Sequence, residues 1–385
     1  MDGNRATTVV TVVTSNCLAG ALSLSRSLRH WHPDWRLVVW VIDPEPESQA
    51  AVADELDCRD ASRLVRDGWG RFSFQYTPLE LACALKPAAL RQALDDGAAR
   101  AIWLDTDIIL YGPLDEVAAG ASDDSICLTP HLTRPLREDG TLPSDGSILR
   151  SGIYNAGFVA VSATTIGRDF LDWWGAHCRT ESIVDIATGL FVDQKWLDLV
   201  PVLFDQVRVH RRVGFHTAYW NLDGRRVERD AQGLTVDGER VVLFHFSGVD
   251  RRNPESLSKY QDRIRLDEHP VVAEELRRYL TRLDDCGADR FSRIEYRFGR
   301  LSDGRPIEEG WREAVRRNDP RLDPFDDPRD VVAHPELPAI FESLTAQYAR
   351  IRADWCLRPI VPERKTLKRR VRKYLARMGL WRPAA

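Results

Sequence analysis

Up to about Asp250, hydrophobic positions repeat with two alternating periods. The β-branched run Val9 to Val13 reads as a buried strand. Ala21 to Trp31 places apolar residues at helical spacing, and Trp35 to Ile42 reads as a second strand closed by the turn pair Asp43-Pro44. Glu47 to Leu56 predicts another helix, and Leu79 to Leu94 a longer one with Pro87 inside it. The apolar run Ala101-Ile102-Trp103-Leu104 then predicts a strand. Strands alternating with helices imply a mostly parallel sheet, hence an α/β fold flanked by helices. From His131 to Gly152 the composition turns to Pro, Asp, Gly, Ser and Arg, the signature of a long loop. Tyr154 to Ser162 predicts a strand, the surroundings of Phe170 to His177 a helix, Phe191 to Leu199 a short helix, and Arg240 to Phe246 a strand. Beyond Asp250 the pattern changes to helical periodicity over Val271 to Leu283, with turn-rich segments around Asp303-Gly304 and Asn318 to Pro328. The division this predicts is an α/β unit over 1–262 and a helical extension over 263–385.

Composition narrows the class. With 385 residues, 43% hydrophobic and 29% charged, the chain can bury a large core. A net charge of −4 provides no global field to recruit nucleic acid. Seven scattered cysteines without C-x-x-C spacing predict neither a zinc cage nor a disulfide framework, which fits a reducing, cytoplasmic compartment. The strand-like Thr7 to Val13 follows the N-terminus without a signal-peptide cleavage site, and no apolar stretch is long enough to span a bilayer. The run Arg364 to Leu375 is strongly basic, with Leu367, Val371, Tyr374 and Leu375 at helical spacing. It predicts either a solvated surface helix or a peripheral contact with an anionic membrane surface at the inner face.

The chemistry concentrates at Asp105-Thr106-Asp107, which closes the strand Ala101 to Leu104 and precedes Ile108-Ile109-Leu110. Two carboxylates at the end of a buried strand require a cation, hydrogen bonds or open water. Strand ends of open α/β sheets are also where ligands bind.

Trp103-Leu-Asp-Thr-Asp-Ile-Ile-Leu-Tyr-Gly-Pro-Leu-Asp115 resembles the nucleotide-sugar glycosyltransferases of GT-A (Rossmann-like) fold along its whole length. His245-Phe246-Ser247-Gly248-Val249-Asp250-Arg251 resembles the H-x-x-G-x-x-K motif of the retaining family 8 glycosyltransferases, relatives of the lipopolysaccharide galactosyltransferases and glycogenins. The resemblance implies Mn²⁺ (or Mg²⁺) held by Asp105, Asp107 and His245, with Thr106 between the two acids. It also implies Gly248 close to the diphosphate and Arg251 in place of the family's phosphate-binding Lys. The family's Pro-Trp ending is missing. Tyr154-Asn155-Ala156-Gly157-Phe158 is similar to its N-[SA]-G strand, in which Asn155 would face the donor sugar. Phe191-Val192-Asp193-Gln194-Lys195-Trp196 is similar to its D-Q motif, in which Asp193 contacts sugar hydroxyls and Gln194 lies near the anomeric carbon. Read alone, Asn155 is a turn residue and Asp193 a helix cap; the order of all four motifs favours the site reading.

Thr14 and Asn16, past the first strand, would hold base and ribose; the aromatic that often stacks on uracil is absent, Cys17 and Leu18 following instead. Lys86 would reach the phosphates or remain a solvated helix residue. Tyr219-Trp220-Asn221 would line an acceptor pocket or belong to the core. The implied activity is a hexosyltransferase of bacterial-type glycan synthesis, moving sugar from a nucleoside diphosphate sugar, UDP-linked by preference, to a glycan, lipid-linked or other hydroxyl acceptor with retention. The alternatives are an inverting transferase with Asp193 as base, and a catalytically inactive glycan- or partner-binding relative. A nucleotidyltransferase is disfavoured because no Gly-rich basic loop follows the first strand.

Overall fold

In the computed structural model the chain is described for residues 7–120 and 122–356. The basic run 364–375 lies outside the described residues. The fold is α/β. Its main sheet holds the strands β1 (Thr7–Val13), β2 (Arg36–Val41), β3 (Asp57–Asp60), β4 (Arg100–Leu104), β6 (Ile126–Pro130) and β7 (Tyr154–Ser162), with Val207–Val209 at one edge; the short β5 (Ile108–Leu110) belongs to a second sheet. The order across the main sheet is β3, β2, β1, β4, β7, β6 and Val207–Val209. β1 pairs in parallel with both β2 and β4, whereas β7 runs antiparallel to β4 and β6.

Both faces are covered, as a β-branched central strand demands. Alternate side chains of a strand point to opposite faces. Val10 and Val12 pack with Trp40 and Trp103 against the helices Pro78–Asp95 and Thr165–Cys178; Val9 and Val13 face the other way, toward the helix Leu18–Trp31. Burial on both faces is what makes these strands read as continuous apolar runs. The second sheet sets β5 antiparallel to Leu243–His245, which in turn is parallel to His216–Ala218.

The direction of each strand fixes what gathers at the sheet's carboxyl edge. β1 runs out into Thr14, β2 toward Asp43, and β4 into Asp105. Because β7 runs the opposite way, its first residues, Tyr154 and Asn155, arrive at that same edge.

Four predicted elements differ. Arg240 to Phe246 is broken at Val241-Val242 into Glu239–Arg240 and Leu243–His245, because the backbone changes partner there, Val241 N–H donating to Leu234 O and Val242 N–H to Gly214 O, so the two halves join different sheets. Glu47 to Leu56 forms helix only over Pro46–Ala50, since only Val52 and Leu56 are buried apolar anchors further on, too few to hold more turns. The loop His131 to Gly152 contains the helix Asp145–Ser151, started by a Ser144/Ser147 capping box. Phe191 to Leu199 divides into a short strand, Leu190–Phe191, and a 3₁₀ helix, Gln194–Leu199, separated by Val192 at φ 44°. Past residue 262, the helix Pro270–Asp285 sends Val272, Leu276 and Tyr279 into the same apolar cluster as Leu18 and Leu22, and Tyr279 stacks on Phe246 at 4.2 Å. Trp311, Phe341 and Leu344 form a second cluster with Phe74. Among the described residues no helix is long and apolar enough to cross a membrane.

Candidate functional site

Backbone pairing at the end of β4 brings the acidic pair and the histidine together. The Asp105 N–H donates to Gly157 O at 3.0 Å, and the Phe246 N–H to Asp107 O at 2.8 Å, so the turn between β4 and β5 is clamped between β7 and the strand Leu243–His245. His245 sits opposite Ile108 in that register. Its Nε2 lies 2.9 Å from Asp107 Oδ1 and 3.8 Å from Asp105 Oδ2. The other oxygen of Asp105 accepts the Trp103 indole N–H at 2.6 Å, which leaves Oδ2 turned toward the histidine. Gly157 makes this approach feasible, because a Cβ there would lie 2.4 Å from His245 Cε1.

Lys86 is the hub of the next layer. On the helix Pro78–Asp95 it is 2% exposed, and its Nζ donates to Ala156 O at 2.8 Å. It pairs with Asp193 at 2.9 Å, lies 3.7 Å from Asp105, and rests over the Trp103 ring at 4.6 Å. Asp193 therefore does not cap the helix it precedes; its carboxylate is 1% exposed and turned to Lys86. Gln194 Oε1 accepts the Ala156 N–H at 3.1 Å and the Asn155 amide at 3.4 Å, and its Nε2 donates to Ser151 O at 3.0 Å. Asn155 Oδ1 accepts from Gly157 N at 2.9 Å, and its amide nitrogen meets His131 Nε2 at 3.1 Å.

The remaining predicted residues are arranged around this centre. The Thr14 hydroxyl donates to Asn16 Oδ1, and the intervening Ser15 N–H donates to Asp43 Oδ1 at 2.8 Å, tying the end of β1 to that of β2. Thr106 backs onto Gly20 of the first helix, where a Cβ would meet it at 3.2 Å. Gly248 has φ 73°, and a side chain there would collide with the Tyr260 ring and Ser258 Oγ. Arg251 is not joined to the acidic centre: its guanidinium pairs with Asp284 at 2.5 Å and Asp289 at 2.8 Å. Trp220 is buried, edge-on to His245 at 5.2 Å, and Tyr219 is half-buried beside it. Sequence reasoning missed Trp103, although its place two residues before Asp105 on one strand was a signal. It also missed His131 and His216, which only the tertiary register brings near.

Electrostatics follow from burial and pairing. Burial alone would raise Asp107, yet the His245 ring beside it holds its carboxyl below the usual range. Burial would lower His245, but Asp107 and Asp105 raise it. Burial pushes Asp193 up against the opposing pull of Lys86. Burial also drives His131 down to about 4. Among the described residues, Lys86 is the one cationic side chain other than His245 set against the carboxylates of Asp105, Asp107 and Asp193, so with His245 neutral the site is acidic. The ligand atoms of Asp105, Asp107 and His245 all lie within 4.8 Å of one another, so this cluster could bind a metal ion. Mixed oxygen and imidazole donors suit Mn²⁺ or Mg²⁺.

No model of a known protein family matches this chain. The Bacillus subtilis (strain 168) protein YfnF is 24% identical over 249 residues, covering 62% of this chain and 80% of YfnF. YfnD of the same organism is 26% identical over 173 residues, 44% of this chain and 53% of YfnD, so the match spans about half of that relative. Among solved structures, the galactosyltransferase LgtC in complex with donor and acceptor sugar analogues aligns over 72% of this chain and 95% of its own, at 12% identity and a TM-score of 0.43. The bifunctional glycosyltransferase WbbM aligns over 73% and 50%, at 11% identity and 0.45. The glycosyltransferase GlyE of Streptococcus pneumoniae TIGR4 aligns over 73% and 63%, at 12% identity and 0.42.

The pairing of His245 with Asp107 predicts a pH dependence. A raised His245 contributes stability that is present below its unfolded value, ~6.5, and is lost as pH rises through the folded value. The depressed Asp107 contributes stability present above its unfolded value and lost on acidification through the folded one. A cation instead needs His245 Nε2 unprotonated, so Mn²⁺ affinity is expected to fall about tenfold per pH unit below the raised His245 value. Calorimetric titration at several pH values checks this; an affinity flat with pH contradicts it.

Proposed function

We propose that this chain transfers a hexose from a nucleoside diphosphate sugar, UDP-linked by preference, to a hydroxyl acceptor on a glycan or lipid-linked carrier, with retention. The observation that carries this reading is the convergence of Asp105, Asp107 and His245 with the Lys86–Asp193 pair and Gln194 at one edge of the sheet. A divalent cation on Asp105, Asp107 and His245 would neutralise the departing diphosphate. Lys86 adds a fixed positive charge beside it and costs no reorganisation at the moment of reaction, being already held by Ala156 O and Asp193. Thr14 and Asn16 border the nucleoside end, while Gly248 lets backbone approach the phosphates. Asn155 borders the sugar, and Asp193 acts on it through the Lys86 that it holds in place. Arg251 would serve the diphosphate only by leaving Asp284 and Asp289. A thermal-shift panel of UDP, GDP, CMP and dTDP with Mn²⁺ tests the ligand class, since a compound that binds only the folded state raises the midpoint. A shift from one nucleotide that requires Mn²⁺ is expected; no shift from any of them contradicts the reading.

Stereochemistry divides retention from inversion. Inversion needs a free base beside the acceptor, and Asp193 is buried against Lys86. The Gln194 amide, with its bonds to Ala156 and Ser151, is a neutral group that could flank the sugar, leaving the departing phosphate oxygen to take the acceptor's proton on the same face. Gln194→Ala is then expected to lower turnover only in part, whereas loss of a positioned base would cost about 100-fold to 10,000-fold. NMR of the first-formed product decides: an α-linked donor should give an α-linked product, and a β-linked one would move the role of base to Asp193.

A further inference from the structure

Behind the Asp105, Asp107 and His245 cluster lies a row of buried polar groups that the proposed transfer does not use. His216 stands on the strand His216–Ala218, the parallel neighbour of Leu243–His245. Its ring lies edge to edge with that of His245, centroids 5.4 Å apart and planes 12° from parallel. His216 Nε2 is 3.1 Å from His245 Nδ1, and His216 Nδ1 is 2.7 Å from Thr129 Oγ1. His216 is 4% exposed and Thr129 1%, so water does not compete for these contacts. Asn221 fixes the strand from the side, its amide donating to His216 O at 2.8 Å and its Oδ1 accepting from Ala218 N at 3.0 Å. The Trp220 ring stands roughly perpendicular to both imidazoles, its centroid 5.2 Å from that of His245 and 5.8 Å from that of His216.

Counting protons gives this row a direction. A neutral imidazole carries one hydrogen, on one nitrogen. If Nε2 of His245 is to offer its lone pair to a cation between Asp105 and Asp107, the hydrogen must sit on Nδ1 and needs an acceptor there. His216 Nε2 is the partner in place. Accepting at Nε2 puts the hydrogen of His216 on Nδ1, where it donates to Thr129 Oγ1. The opposite direction, from the Thr129 hydroxyl through His216 to His245 Nδ1, would leave the hydrogen of His245 on Nε2 and block it as a ligand.

We propose that His216, backed by Thr129, is a positioning residue that holds His245 as its Nδ1–H tautomer and aims the Nε2 lone pair between Asp105 and Asp107, so strengthening divalent-cation binding. This rests on the metal reading of the site. Its test is titration with Mn²⁺ alone, without a sugar donor, following the free ion by electron paramagnetic resonance. His216→Leu removes the acceptor and is expected to weaken binding about 10-fold to 100-fold, the usual effect of losing a partner behind a metal ligand. His216→Gln keeps an acceptor oxygen near the place of Nε2 and should stay close to the parent. The near-isosteric Thr129→Val should weaken binding where Thr129→Ser does not, and this pair serves if the leucine variant fails to fold. Parent-like affinity in a folded His216→Leu or in Thr129→Val, or equal losses in His216→Gln and His216→Leu, overturns the proposal while leaving the metal site standing. A parent chain that binds no Mn²⁺ removes the metal reading itself, and this inference with it.

Discussion

Asp105→Ala, Asp107→Ala and His245→Ala are each expected to cut turnover by at least about 1000-fold. A metal positioned on a leaving group supplies several kcal/mol of charge stabilisation. Since ~1.36 kcal/mol is tenfold in rate, about 4 kcal/mol corresponds to that loss. Asp105→Ala should cost little stability, because that carboxylate is about one-third exposed at the sheet's edge and lies farther from His245. Asp107→Ala also removes the close partner of the buried His245 and with it the stability that this pair contributes. Thermal unfolding of Asp105→Ala should therefore resemble the parent, that of Asp107→Ala should come somewhat earlier, and EDTA treatment of the parent should reproduce their loss of turnover. Turnover that survives both EDTA and His245→Ala would contradict the metal assignment.

The second large effect is on stability rather than rate. Lys86→Ala leaves the Asp193 carboxylate buried without its cation, and removing one partner of a buried pair typically costs about 3–5 kcal/mol. Screening by solvent gives no relief, because the side chains are 3% and 1% exposed. The same change strips Ala156 O of its donor. In the double variant Lys86→Met with Asp193→Asn the uncompensated charge is gone, so much of the loss should return even though activity does not. Urea unfolding of the two variants measures this; equal stability of Lys86→Ala and the parent would mean that the pair is solvated in solution.

Which features could be read from sequence depends on how local their physics is. β1, β2, β4 and β7 are buried on both faces, so their apolar runs carried the signal within a few residues, and Tyr154–Ser162 matches its predicted bounds. Asp105 and Asp107 were visible because an acid at the end of such a run is costly anywhere else. The helix Asp145–Ser151 was hidden in a polar stretch whose one cue was the Ser144/Ser147 box. Long-range pairings were harder. Asp193 as partner of Lys86 joins a helix residue to a turn more than one hundred positions away, and sequence alone left Lys86 divided between a site residue and a solvated one; its burial decides for the interior. Arg251 read as a phosphate ligand from its motif position, while its two aspartate partners come from the helical region past residue 262. His216 and Thr129 had no local signature, because they reach His245 only through sheet register.

The most direct test of sugar transfer is release of nucleoside diphosphate from a panel of nucleotide sugars, UDP-sugars first, with and without Mn²⁺. Slow release with water as acceptor is expected for at least one donor, dependent on Mn²⁺, abolished by EDTA and absent in Asp107→Ala. No release from any donor at saturating Mn²⁺, with or without hydroxyl acceptors, would contradict the account and leave a binding protein built on the same acidic edge.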